Sequence, residues 1–190
     1  MAFEENEMLV TMKDVAERLN DLGIKYMVTG SFAMSAYAKA RTTMDIDVVL
    51  EISSTDAKRF ERRFVGDYYV DELSIVNADR HKSMFNIINN ATLIKVDCIV
   101  RKKDPFEIEK FARRRLSEIG GIEFWVIGKE DLILSKLKWA AQSHSERQFE
   151  DIRNLLEAGT DEDAIRNLVL AMGLEDVWKA FEEWKIRVTK

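Results

Sequence analysis

Asp45-Ile46-Asp47-Val48-Val49-Leu50, preceded across a gap of thirteen residues by Val28-Thr29-Gly30-Ser31, is the stretch that decides how this chain folds. Ile46, Val48, Val49 and Leu50 are the residues of a strand buried in a sheet. A strand sends alternate side chains to one face, so Asp45 and Asp47 point the same way, about 6 to 7 Å apart along the backbone. Two like charges on a buried strand call for a positive partner, and a hard divalent cation with oxygen ligands is the natural one. Upstream, Ile24 to Thr29 reads as a short buried strand, and Gly30 turns it into a helix running from Ser31 to about Lys39. A glycine at such a turn lets the backbone approach a ligand closely. The helix start adds unpaired N–H groups at a positive dipole end.

The 190 residues allow one sizeable domain with a small appendage. A hydrophobic share of 46% beside 33% charged residues excludes a disordered chain. The net charge of −5 supplies no global positive field for nucleic acid, although it leaves a local basic patch open. The single cysteine, Cys98, rules out an intrachain disulfide and a thiolate zinc cluster and fits a reducing, cytoplasmic setting. No apolar run approaches the roughly 20 residues of a membrane span, and Met1-Ala2-Phe3-Glu4-Glu5 lacks the positive start of a signal peptide. No membrane partner is expected.

Outward from the acidic strand, apolar spacing of three and four predicts a helix from Glu7 to Leu22, stopped by Gly23. Thr55 to Phe64 reads as a helix ending at Gly66, Tyr68 to Val70 as a strand, and Glu72 to Asn77 as a short helix or loop. Met84 to Ile88 and Leu93 to Val100 form a hairpin across Asn89-Asn90. Pro105 opens a helix to about Arg115, and Glu123 to Ile127 is the last strand. From Lys129 onward the pattern is helical, with Gly159 and Gly173 as stops and Ser145 and Thr160 as N-caps. Ser145-Glu146-Arg147-Gln148 has capping-box spacing. The expectation is an α/β (α+β) fold: a small mixed sheet flanked by helices over residues 1–128, and a C-terminal helical subdomain over 129–190 packed on that core.

Gly30-Ser31 is suited to hold triphosphate oxygens while Asp45 and Asp47 hold magnesium that bridges the same phosphates. Asp97, in Val96-Asp97-Cys98, offers a third carboxylate from a neighbouring strand. Three acids allow two metal ions about 3.5 to 4 Å apart, one activating a hydroxyl and one stabilising departing pyrophosphate. That is the chemistry of nucleotidyl transfer. Each reading has a plainer rival. Asp97 can be an ordinary strand-edge carboxylate, and Arg41-Thr42-Thr43 either binds phosphate or is a solvated loop. Arg59, Arg62, Arg63 and Arg113-Arg114-Arg115 read as solvated helix faces rather than RNA contacts. His81 and His144 read as surface residues, Cys98 as a small buried hydrophobe facing away from Asp97, and Trp139, Trp178 and Trp184 as mostly core.

With Thr29-Gly30-Ser31, Asp45-Ile46-Asp47-Val48 and Val96-Asp97-Cys98 together, the chain resembles the DNA polymerase β-like nucleotidyltransferase superfamily. Asp131-Leu132-Ile133-Leu134-Ser135-Lys136-Leu137-Lys138-Trp139-Ala140, followed by Glu146 to Ile152, is similar to that superfamily's AbiEii-like toxin branch. The resemblance implies a nucleotidyltransferase fold and a magnesium-dependent enzyme, with two ions and manganese as a substitute. It would move an NMP from an NTP such as ATP to a hydroxyl of a tRNA, a protein or a small molecule such as an aminoglycoside. It also implies a toxin–antitoxin pair with a cognate antitoxin. In that branch a lysine and a later aspartate on helices face the nucleotide; here these are Lys136 and Asp151, with Arg147 one turn before Asp151. From the residues themselves, Arg41 stands beside Gly30 and Ser31 as a candidate phosphate contact, with the solvated loop as its equal alternative. The alternatives are a surface Lys136 with its stem on apolar neighbours, a plain Arg147–Asp151 pair, and a non-catalytic nucleotide-binding or regulatory module.

Overall fold

The apolar runs of the sequence become a seven-stranded mixed sheet in the computed structural model, which describes residues 2–39, 43, 45–143 and 145–189. Arg41, Thr42 and His144 lie outside the described residues. Residues Met1–Ala36 and Thr42–Ile127 form one compact unit, and Tyr37–Arg41 with Gly128–Lys190 a second. The first begins with α1 (Ala2–Asp21), which buries Met8, Met12, Val15 and Leu19 at the predicted spacing. Strand β1 (Tyr26–Thr29) passes directly into α2 (Gly30–Ala33) and a 3-10 turn, Met34–Ala36. The helix expected to reach Lys39 is therefore cut short. Ser31, Phe32, Ala33 and Met34 are all buried in succession, a pattern with no solvated face for a longer amphipathic helix.

Strand β2 (Asp45–Leu50) is followed by a 3-10 turn and α3 (Ala57–Phe64), then by β3 (Tyr68–Tyr69) and α4 (Glu72–His81). Helix α4 outruns the short helix or loop expected there. Asp71 caps its start by accepting the Ser74 N–H at 2.8 Å, and Ile75 and Ala78 bury its inner face. Strands β4 (Met84–Asn89) and β5 (Lys95–Val100) form the expected antiparallel hairpin. Then come α5 (Pro105–Ala112), β6 (Arg115–Ile119) and β7 (Ile122–Val126).

The strand order is β3-β4-β5-β2-β1-β7-β6, with β2 parallel to β5, β1 parallel to β7 and the other pairings antiparallel. Central β2 is thus hydrogen-bonded on both sides, which explains its apolar run. Edge strand β6 was not anticipated. Arg115, Leu116 and Glu118 are exposed, so the strand lacks a buried period, and the arginine run reads as a helix face. In the structure Arg114 lies over Phe111 at 4.4 Å and over Trp125 at 5.1 Å instead. The overlooked signal was Gly120-Gly121, whose φ values of +58° and +83° make the two-residue hairpin turn.

The second unit contains α6 (Lys129–Ser143), α7 (Glu146–Glu157), α8 (Glu162–Ala171) and α9 (Glu175–Thr189). Phe149, Trp178, Phe181 and Trp184 form an aromatic cluster with centroids 5.3 to 6.2 Å apart. Two of the expected caps differ. Ser145 sits at the N-cap of α7 without a side-chain cap bond, so the capping box does not form. Helix α8 is capped by Asp161, while Thr160 donates its hydroxyl to the Leu155 carbonyl at 2.8 Å. Trp139 is 58% exposed, unlike buried Trp178 and Trp184. Among the described residues, no helix is long and apolar enough to cross a membrane.

Candidate active site

Parallel pairing of β2 with β5 sets Asp47 opposite Asp97 and Asp45 opposite Lys95. Residues two apart on a strand share a face, and so do register partners, so these four side chains occupy one face of the two central strands. Asp97 is therefore not a strand-edge carboxylate; it joins the pair that the sequence singled out. Lys95, which sequence reasoning missed, reaches across them. Its Nζ stands 3.4 Å from Asp45 Oδ1 and 3.1 Å from Asp97 Oδ2. Burial pulls the Lys95 ammonium down, but the hydrogen bond to Asp97 and the charges of Asp97 and Asp45 outweigh it and hold its pKa above the ordinary lysine value. On the other side, Asn86 of β4 is opposite Asp97; with its side-chain amide turned so that the NH2 rather than the oxygen meets the carboxylate, the orientation the surrounding donors and acceptors favour, it donates to Asp97 Oδ1 at 2.8 Å. Asp97 is buried and gripped from two directions, whereas the Asp45 side chain is half exposed.

Gly30 has φ +66°, in the left-handed region, and a Cβ there would lie 1.9 Å from Asp47 Oδ2 and 2.7 Å from its carboxyl carbon. The register that puts Thr29 opposite Asp47 is what brings the carboxylate onto the glycine. Two independent requirements thus fix this residue: backbone conformation and space. Gly30→Ala should cost about 1–3 kcal/mol from the backbone alone and push the Asp47 carboxylate out of place. Urea unfolding measures it, and a variant as stable as the parent would contradict this geometry. Ser31 is buried in the first turn of α2. Because that helix has only four residues, its dipole end is smaller than a helix reaching Lys39 would provide.

Within the second unit, Lys136 of α6 donates to Asp151 Oδ2 of α7 at 2.6 Å. The two side chains are 5% and 1% exposed. Lys136 is thus not a surface lysine, and the ion pair seen for Asp151 is with Lys136. Arg147 is exposed at the start of α7.

Among the described residues, no three His, Cys, Asp or Glu side chains are gathered so as to hold a metal ion as they stand. The chemistry of the site nonetheless suits one. Its donors are carboxylate oxygens, as a hard divalent cation requires, and the space between Asp45 and Asp97 already accommodates a cationic group.

This mixed sheet flanked by helices, with the acids on its central strands, is the nucleotidyltransferase fold. Among solved structures it is similar to ANT(2")-Ia in complex with adenylyl-2"-tobramycin, at 12% identity over 94% of this chain and 99% of that one, TM-score 0.57. The lincosamide antibiotic adenylyltransferase LnuA, lincomycin-bound, matches at 12% identity over 80% and 96%, TM-score 0.53. An antigenic nucleotidyltransferase-like protein from Paracoccidioides brasiliensis matches at 16% identity over 90% and 91%, TM-score 0.54. At these identities the likeness is one of fold. No protein-family model matches the chain, and no curated protein matches its sequence.

Proposed function

We propose that the chain is a magnesium-dependent nucleotidyltransferase that moves an NMP from an NTP to an acceptor hydroxyl. The observation that carries this reading is the placement of Asp45, Asp47 and Asp97 on one face of β2 and β5, beside a glycine turn that admits no side chain. In the reaction the acceptor hydroxyl releases its proton to solvent as its oxygen bonds to the α-phosphorus, the bond from phosphorus to the bridging oxygen breaks and pyrophosphate leaves. Asp45 and Asp47 are the residues that would hold Mg2+ or Mn2+, with Asp97 completing the set. When bound, the metal neutralises phosphate charge and lowers the pKa of the attacking hydroxyl. Gly30 leaves room for phosphate against the backbone, and Ser31 adds a hydroxyl to that contact. A hydrogen bond from the reoriented Asn86 amide would hold one oxygen of Asp97 and leave the other, which meets Lys95 at 3.1 Å, available to a cation.

The similarity of α6 and α7 to the AbiEii-like toxin branch supports Lys136, Arg147 and Asp151 as the nucleotide-facing set, and a cognate antitoxin as partner. Since Lys136 and Asp151 neutralise one another, exposed Arg147 carries the charge that meets phosphate on this reading. The neighbouring structures hold adenylyl-2"-tobramycin and lincomycin, which favours a small-molecule hydroxyl as acceptor over tRNA or protein. The test is transfer of α-labelled phosphate from each NTP, with Mg2+ or Mn2+, onto an aminoglycoside, a lincosamide, total RNA and total protein. The expected result is one labelled product that needs the metal. Absence of any labelled product with either metal sinks the proposal.

A further inference from the structure

We infer that Lys95 is the resident cation of the acidic site and that its ammonium leaves when a divalent ion binds; this rests on the reading of Asp45, Asp47 and Asp97 as metal ligands. Lys95 is placed for the role by register and by sequence. It is the β5 partner of Asp45 and lies two residues before Asp97, so its side chain emerges on the acidic face between them. Its Nζ contacts one carboxylate oxygen on each strand, at 3.4 and 3.1 Å. Three carboxylates assembled with no cation between them would repel, and the ammonium relieves this with one positive charge and N–H donors aimed at oxygens. A divalent ion brings twice the charge and bonds the same oxygens at about 2.0–2.1 Å, closer than an ammonium can approach. The two occupants exclude each other. The lysine side chain is 36% exposed, with a flexible four-carbon stem, so it can swing into solvent without disturbing the sheet.

The consequence is a site that keeps its acids converged before metal arrives, at the cost of some metal affinity. Two measurements test it on the full chain. First, Lys95 acetylation is mapped by mass spectrometry with and without Mg2+, relative to Lys25, whose side chain is 65% exposed and paired to Glu51. Mg2+ should raise labelling of Lys95 several-fold over that of Lys25. Second, Mn2+ binding is measured by calorimetry for the parent, Lys95→Met, Lys95→Arg and Asp47→Asn. Lys95→Met should bind about threefold tighter or more, the scale of a part-exposed ion pair, and Lys95→Arg should stay near the parent. If the parent binds Mn2+ and Asp47→Asn does not, yet Lys95 labelling is unchanged or Lys95→Met binds no tighter, the displacement idea falls alone. If the parent binds no Mn2+ at all, it falls together with the metal-site reading.

Discussion

Asp151→Ala should destabilise the protein by about 3–5 kcal/mol, because it removes the carboxylate that accepts from the Lys136 ammonium in a site where the lysine side chain is only 5% exposed. Lys136→Ala should cost a similar amount by taking the ammonium away from a carboxylate that is 1% exposed. The 2.6 Å contact joins α6 to α7, and each partner is what makes the other's burial tolerable. The double variant Lys136→Met/Asp151→Leu removes both charges while keeping apolar volume, so it should recover most of the loss. Guanidinium unfolding of the three variants measures the coupling. Additive losses would show that the pair is not an energetic unit. The double variant also separates two roles: a folded chain that no longer binds nucleotide would assign the pair to the site, and unchanged binding would make it a structural clamp alone.

The second large effect concerns chemistry rather than stability. Asp45→Asn and Asp47→Asn preserve shape and remove charge, and each should lower nucleotidyl transfer about a thousandfold, equivalent to about 4 kcal/mol of transition-state stabilisation. The melting transition should hardly move. Asp45 is half exposed, and loss of one of three like charges relieves repulsion on the face that also bears Lys95. Metal-dependent NTP binding, followed by calorimetry, should vanish with activity. Either variant retaining both would remove the acids from the proposed mechanism.

The acidic strand could be read directly because its signal is local: a period of two sets Asp45 and Asp47 on one face, and apolar neighbours bury the strand. Asp97 could be anticipated because it sits in the same kind of buried strand, though only pairing in register shows that it faces Asp47. Lys95 carried no such mark. A lysine beginning a strand looks like any solvated residue until the neighbouring strand puts Asp45 opposite it. The Lys136–Asp151 pair was hidden for a related reason: fifteen residues and a helix–helix junction separate the partners, so their contact depends on how α6 packs against α7. Strand β6 escaped because an edge strand with exposed Arg115, Leu116 and Glu118 has no buried period, although Gly120-Gly121 marked its turn.

The contact between Gly30 and Asp47 has a further consequence. With no Cβ between them, the backbone of the β1–α2 turn and the carboxylate oxygen form a single hard wall, and motion of one is transmitted to the other without a compliant side chain to absorb it. On the proposed reading, a phosphate seated on the turn and a cation seated on the acid would lie on opposite sides of the same partition, and binding of one would be expected to change the affinity for the other by the same factor in both directions.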